Sequence, residues 1–235
     1  MPLPSSRIIG GAPTYFLEYP WQVGITKPTH MRPYCGGTII SDKWILTAAH
    51  CKVKVYDVVL VGAHNWCLCQ PPSMRIPVKE VYPNPDYNNN TRDNDIALLR
   101  VSRDIPFPIS NRIAPVCLPY PTFDPVNGSA FATGWGVTYP EGKRPCVLRD
   151  VEIPTMSKDV CSFWWPGKIT DRMLCAGIDF KGTCSYDDGG PLVASETVYG
   201  PFMQIGVTSW GAAKCNRPQV YTRVTKSVHL LLPLL

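Results

Sequence analysis

Proline and glycine punctuate this chain so densely that long helices are excluded. Its 25 Pro and 18 Gly leave few segments able to hold a helix longer than about three turns, because proline removes a backbone donor and both residues interrupt helical runs. Between them lie short β-branched or alternating runs at Trp21–Ile25, Thr38–Ile40, Val55–Val61, Arg75–Val81 and Ile96–Val101. Further runs follow at Ala130–Gly134, Leu148–Ile153, Pro191–Ala194, Gln204–Ser209 and Val220–Val224. Short strands separated by turn signals predict an all-β barrel or sandwich. The Pro-rich segment Arg103–Pro125 reads as the crossing between two halves. Two helical stretches are expected, Thr155–Phe163 with Thr at its cap and a packed terminal helix from Thr222 into the apolar residues Leu230–Leu235.

Ten cysteines in such a loop-rich chain point to disulfides and an oxidising compartment. Their irregular spacing resembles no zinc signature apart from the Cys67-x-Cys69 pair. Hydrophobic residues make up 45% and charged residues 17%, enough apolar matter for a core and too little polarity for wholesale disorder. The net charge of +5 is scattered, and the longest basic run, Lys143-Arg144, is too short for a nucleic-acid footprint. No apolar run reaches the roughly 18 residues that span a bilayer. Residues 1–7 lack an apolar core, so no signal peptide is expected in this chain, and a secreted protein would be a processed form of it. Asn89-Asn90-Thr91 and Asn127-Gly128-Ser129 are N-glycosylation sequons.

Nucleophilic acyl transfer needs a nucleophile, a base to take its proton and a carboxylate to orient that base. Trp44-Ile-Leu-Thr-Ala-Ala-His50-Cys51 puts a histidine directly after a strand, and Asp95-Ile-Ala-Leu-Leu99 puts a carboxylate at the mouth of another. Each alone is an ordinary structural feature. Around them, Arg7-Ile8-Ile9-Gly10-Gly11, Pro20-Trp21-Gln22-Val23, Cys35-Gly36-Gly37, Thr133-Gly-Trp-Gly136, Gly189-Gly190-Pro191-Leu192 and Ser209-Trp210-Gly211 occur in one order. This order resembles the trypsin-like (chymotrypsin-fold) serine proteases from Arg7 to about Val224, most of the chain.

The resemblance implies two six-stranded antiparallel β-barrels with a short C-terminal helix and an active site in the cleft between the barrels. It divides the chain into an activation-peptide stub (1–7), a protease domain (8–225, with barrels at about 21–102 and 126–225) and an apolar tail (226–235). His50 matches the general base, Asp95 its orienting carboxylate and Ser209 a support for that carboxylate. Cleavage after Arg7 would free Ile8, whose amine would pair with Asp187 as in zymogen activation.

The departures bear on activity. The family's Gly-Asp-Ser-Gly-Gly-Pro reads Tyr186-Asp187-Asp188-Gly189-Gly190-Pro191, so Asp188 stands at the nucleophile position. A carboxylate has no hydroxyl proton to give His50, and losing the nucleophile of such a triad costs on the order of 10⁶ in turnover. Tyr186 occupies an oxyanion-hole glycine, where a Cβ is expected to misplace a backbone donor. In the specificity pocket, formed by Gly182, Gly211 and Gln219, Gly182 replaces the floor Asp of Lys- or Arg-specific relatives. Gln219 replaces a wall Gly and is expected to fill the space. These substitutions predict a secreted, catalytically inactive homologue, not an enzyme, that acts on a protein partner by binding, as a decoy or scaffold. The alternative is a weak or altered hydrolase using a carboxylate-based mechanism.

By resemblance, Cys35–Cys51, Cys161–Cys175 and Cys184–Cys215 pair, and Ala130 and Ala194 stand at both ends of an absent fourth family disulfide. Cys117 matches a cysteine that tethers the activation peptide in many relatives, while Cys146 is expected to bridge to Cys67 or Cys69. The family's calcium loop lacks its acids here, with Ala63 replacing one of them, so neither metal nor cofactor is expected. The chain is expected to be a monomer unless tethered through Cys117.

Overall fold

The computed structural model describes residues 11–228 except 69, 108–111, 140, 141, 179, 180 and 198. Arg7, Ile8, Cys69 and the tail beyond residue 228 therefore lie outside the described residues.

The first barrel comprises β2 (Gln22–Thr26), β3 (Cys35–Ile39), β4 (Trp44–Thr47), β5 (Val58–Val61), β6 (Met74–Pro83) and β7 (Ala97–Val101), after the short strand β1 (Ala12–Pro13). It closes in the order β2-β3-β4-β7-β6-β5, with β5 returning to β2. The core packed in and around it consists of β-branched and leucine side chains such as Val23, Ile25, Ile39, Ile45, Leu46, Val59, Val61, Ile76 and Leu99. Fully burying such a side chain contributes about 1.5–3 kcal/mol.

The second barrel is built from β8 (Ser129–Gly134), β9 (Arg149–Met156), β10 (Met173–Ala176), β11 (Pro191–Ala194), β12 (Met203–Trp210) and β13 (Gln219–Arg223). Its order is β8-β9-β10-β13-β12-β11, and pairing of β11 with β8 closes the ring, while β1 adds to β9 from outside. Every pairing within both barrels is antiparallel. Ala130 and Ala194 pack in its core beside Leu174, Ile205 and Tyr221.

Helix α1 (Lys158–Trp164) follows β9. It starts later than the sequence predicts. Thr155 belongs to β9, where its hydroxyl accepts from Gly128 N–H at 2.9 Å, and Ser157 is the cap, accepting from Val160 N–H. A 3₁₀ turn, Val224–Lys226, follows β13, and Thr222, where the sequence places a helix start, is still strand; Val228 is helical, and the rest of the expected terminal helix lies outside the described residues. The crossing segment runs along the first barrel through Ile105 N–H to Asp42 O and Val116 N–H to Ile39 O. It then meets the second barrel where Gln204 N–H donates to Cys117 O.

The structure joins Cys35–Cys51, Cys67–Cys146, Cys161–Cys175 and Cys184–Cys215, while Cys117 is exposed and bridged to no other cysteine among the described residues. Four disulfides are compatible with an extracellular location. Among the described residues no helix is long and apolar enough to cross a membrane.

The barrels meet at a glycine contact. A Cβ on Gly36 would fall 2.9 Å from Gly190 Cα, and Gly189 has φ 77°, with its position for a Cβ 2.3 Å from Thr47 Oγ1. Only glycine lets the two backbones approach this closely. There Gly36 N–H donates to Asp188 O at 2.8 Å, tying the first barrel to the loop that carries Asp188.

Candidate active site

Strand ends from both barrels deliver the polar groups to one cleft. His50 sits on the 3₁₀ turn Ala49–Cys51 just after β4, and the Cys35–Cys51 disulfide anchors that turn to β3. Asp95 precedes β7, Ser209 is the penultimate residue of β12, and Asp188 precedes β11. The structure brings all four together.

Asp95 is fully buried and gripped from every side. One carboxylate oxygen, Oδ1, accepts from His50 N–H at 2.8 Å. The other, Oδ2, lies 2.6 Å from His50 Nδ1 and accepts from the Ser209 hydroxyl. Thr222 Oγ1 donates to the Asp95 carbonyl at 2.7 Å, so the second barrel also fixes its position. These contacts set the imidazole plane and direct Nε2 into the cleft. There it meets Asp188 Oδ1 at 3.5 Å.

The imidazole lies between two carboxylates. Burial opposes its charging, but hydrogen bonding to Asp188 and Asp95, together with their charges, prevails and raises the His50 pKa from 6.5 to about 9. At neutral pH this site therefore holds an imidazolium.

Asp187 faces the opposite way. It is buried, accepting from Gly136 N–H at 2.7 Å and Cys184 N–H at 3.0 Å. Burial dominates these bonds and lifts its pKa to about 7. A buried carboxylate in this state favours a cation that could reach it.

Tyr186 departs from the expectation of a displaced donor. It has φ 75°, the left-handed region, so the backbone follows a glycine-like path despite the side chain. That conformation costs about 1–2 kcal/mol for a residue with a Cβ. Arg144 stacks 4.6 Å from the ring centroid, a contact worth about 0.5–2 kcal/mol. Among the described residues neither Tyr186 N–H nor Asp188 N–H donates to another group, so two donors are free at the site.

The cleft, about 360 Å³, is lined by His50, Tyr186, Asp188, Trp210, Gly211 and Gln219, among others. Gln219 opens β13 and is buried, its Nε2 donating to Arg217 O at 3.0 Å. Its side chain lies across Gly211, where a Cβ would fall 1.7 Å from Gln219 Oε1, and beside Gly182, 3.6 Å from Gln219 Cγ. The glutamine thus occupies the space next to both pocket glycines. Asn89 and Asn127 are both exposed. Among the described residues no cluster of three His, Cys, Asp or Glu groups suits a metal ion.

Sequence reasoning missed Arg144, which no motif marks. The adjoining Lys143 and the aromatic ring at 186 were the available signals.

A family model described as Trypsin matches residues 8–231. A protein named Trypsin from Phaedon cochleariae is 36% identical over 234 residues, covering 94% of this chain and 86% of that protein. Transmembrane protease serine 9 of Rattus norvegicus is 35% identical over 232 residues, 94% of this chain but 21% of its own length. These relatives overturn the expectation that the chain is not an enzyme, because similarity of this extent to proteins named as proteases points to a protease. Weighing Asp188, Tyr186 and Gln219 alone neglects what surrounds them, namely the oriented His50–Asp95 pair, two free backbone donors and an open cleft.

Proposed function

The chain belongs to the trypsin-like serine protease family, and from this premise we propose that it is a peptide hydrolase of altered chemistry, using a carboxylate-based delivery of water. The observation that carries this reading is the 3.5 Å approach of His50 Nε2 to Asp188 Oδ1 within the cleft. Attack by Asp188 itself would leave a labile anhydride. A water held between His50 and Asp188 instead supplies the nucleophile. Its oxygen bonds to the scissile carbonyl carbon while its proton passes to neutral His50 Nε2. The N–H groups of Tyr186 and Asp188 receive the oxyanion. Collapse breaks the C–N bond, and His50 returns the proton to the leaving amine.

Two consequences follow from the electrostatics and the pocket. Only neutral His50 can accept a proton, so the rate rises with pH toward about 9. Gln219 lies across Gly211 and beside Gly182, so the pocket admits only a small side chain before the scissile bond, and Gly182 offers no anion for Lys or Arg.

The same reading takes the chain as secreted, glycosylated at Asn89 and Asn127, and switched by a cut after Arg7 that brings the Ile8 amine to Asp187. The four disulfides and the buried Asp187 carboxylate support it. The test is a fluorogenic peptide panel with small, apolar and basic residues before the bond, run on the chain cut after Arg7 between pH 6 and 10. Slow cleavage that rises with pH and is lost in His50→Ala is expected. Cleavage that His50→Ala leaves intact refutes the mechanism.

A further inference from the structure

A second cavity of about 290 Å³ opens on the other side of Tyr186, lined by Lys27, His30, Arg32, Tyr34, Arg144 and Tyr186 itself, with Pro33. We propose that this cavity is a subsite for a carboxylate side chain on the part of a bound polypeptide that follows the scissile bond. The proposal deepens the reading of the cleft as a peptide-binding site and rests on it. Tyr186 lines both cavities. The specificity pocket lies on the Gln219 side, so a chain running from that pocket past His50 and Asp188 meets the basic cavity with its next residues.

The charge there is specific. Lys27 is neutralised, its Nζ lying 2.9 Å from Asp57 Oδ2, which also accepts from Tyr34 OH at 2.7 Å. Arg32 and Arg144 are different. Among the described residues neither has a carboxylate within ion-pair distance. Arg144 sits half-buried over the Tyr186 ring, its Nε reaching only Trp135 O at 3.4 Å. Its Nη2 is buried with no hydrogen-bond partner. A buried guanidinium nitrogen left unsatisfied is costly, and a carboxylate is the acceptor that satisfies two such nitrogens at once.

The cavity is also built in advance. Arg75 donates to the carbonyls of Lys27, Pro28 and His30 at 3.3, 2.9 and 2.9 Å, bracing the loop that carries Arg32. The strained backbone at Tyr186 has a use in this arrangement, since the ring it projects is the platform on which Arg144 rests.

The test measures binding of fluorescein-labelled peptides, identical except for Glu, Gln or Lys at the first, second or third position after the intended bond. Binding is read by fluorescence anisotropy at pH 6, where His50 is protonated and turnover is suppressed. The Glu peptide at one position should bind roughly tenfold more tightly than its Gln counterpart, the scale of a hydrogen bond to a charged group. Arg144→Gln and Arg32→Gln should each bring that ratio toward one, and Lys168→Gln, on a distant exposed surface, should leave it unchanged. Arg32→Gln carries the same test if Arg144→Gln does not fold. Equal binding of Glu and Gln peptides at all three positions overturns the subsite while leaving the cleft reading in place. No binding by any peptide overturns both. A heparin oligosaccharide that binds through Arg144 more tightly than any Glu peptide would mark a polyanion site and also overturn the proposal.

Discussion

Replacing Asp188 by Asn removes one of the two carboxylates that hold a proton on His50. The carboxylates approach different edges of the ring, Asp95 at 2.6 Å from Nδ1 and Asp188 at 3.5 Å from Nε2. Against the opposing effect of burial they raise the pKa from 6.5 to about 9. At 1.36 kcal/mol for each pH unit, that shift is worth about 3 kcal/mol of folding free energy. Because the folded value is the higher one, this stability is fully present below about pH 6.5 and is lost as pH rises through about 9. Asp188→Asn should lower the His50 pKa by roughly one unit or more and flatten the fall in stability between those limits. Asp95 should keep it above 6.5. An NMR titration of the four histidines, with His50 assigned through His50→Gln, reads the pKa, and urea unfolding at pH 6 and 9.5 reads the linkage. A His50 that titrates at or below 6.5 in the native chain, or equally in both proteins, refutes the two-carboxylate account.

Restoring a hydroxyl should help little by itself. Asp188→Ser alone should gain little turnover because Gln219 still narrows the pocket, whereas Asp188→Ser with Gln219→Gly should gain far more than the two single effects combined, with apolar peptides cut ahead of basic ones. Tyr186→Gly should add little to that pair, since Tyr186 already holds a glycine-like φ of 75°; a large further gain in peptide assays would show the donors to be displaced. Burial lifts the Asp187 pKa to about 7, so in the uncut chain its ionisation costs stability as pH rises from about 4 to 7. Cutting after Arg7 should raise the thermal midpoint at pH 8, and Asp187→Asn should abolish that difference. Gly136→Ala would put a Cβ 2.5 Å from Asp187 Cγ, and denaturant unfolding should show a loss of about 3 kcal/mol.

Strands whose residues are β-branched or alternate in polarity were legible in sequence, as at Val58–Val61 and Arg149–Met156. The strand Met173–Ala176 was not, because Met-Leu-Cys-Ala carries no β-branched residue and owes its conformation to pairing with Gln219–Arg223. The helix start slipped because Thr155 and Ser157 are both capable caps, and only the pairing of Thr155 with Ala176 fixes the choice. His50, Asp95, Asp188 and Ser209 could be read from short ordered motifs, since each stands at a strand end. The basic cavity could not. Arg32, Arg144 and Tyr186 come from three separated loops, and nothing local in any of them announces the others. Nor does composition reveal that Tyr186 tolerates a positive φ, which depends on the surrounding loop and on the Arg144 contact.

The most direct test of the account is the pH dependence of peptide cleavage by the chain cut after Arg7. Purified protein and its His50→Ala variant would be assayed in parallel on a peptide with a small apolar residue before the bond. The account predicts slow cleavage whose rate climbs with an inflection near pH 9, the pKa of His50 between its two carboxylates, and which His50→Ala removes. Absence of cleavage at every pH, or a rate that is level from pH 6 to 10, would contradict it.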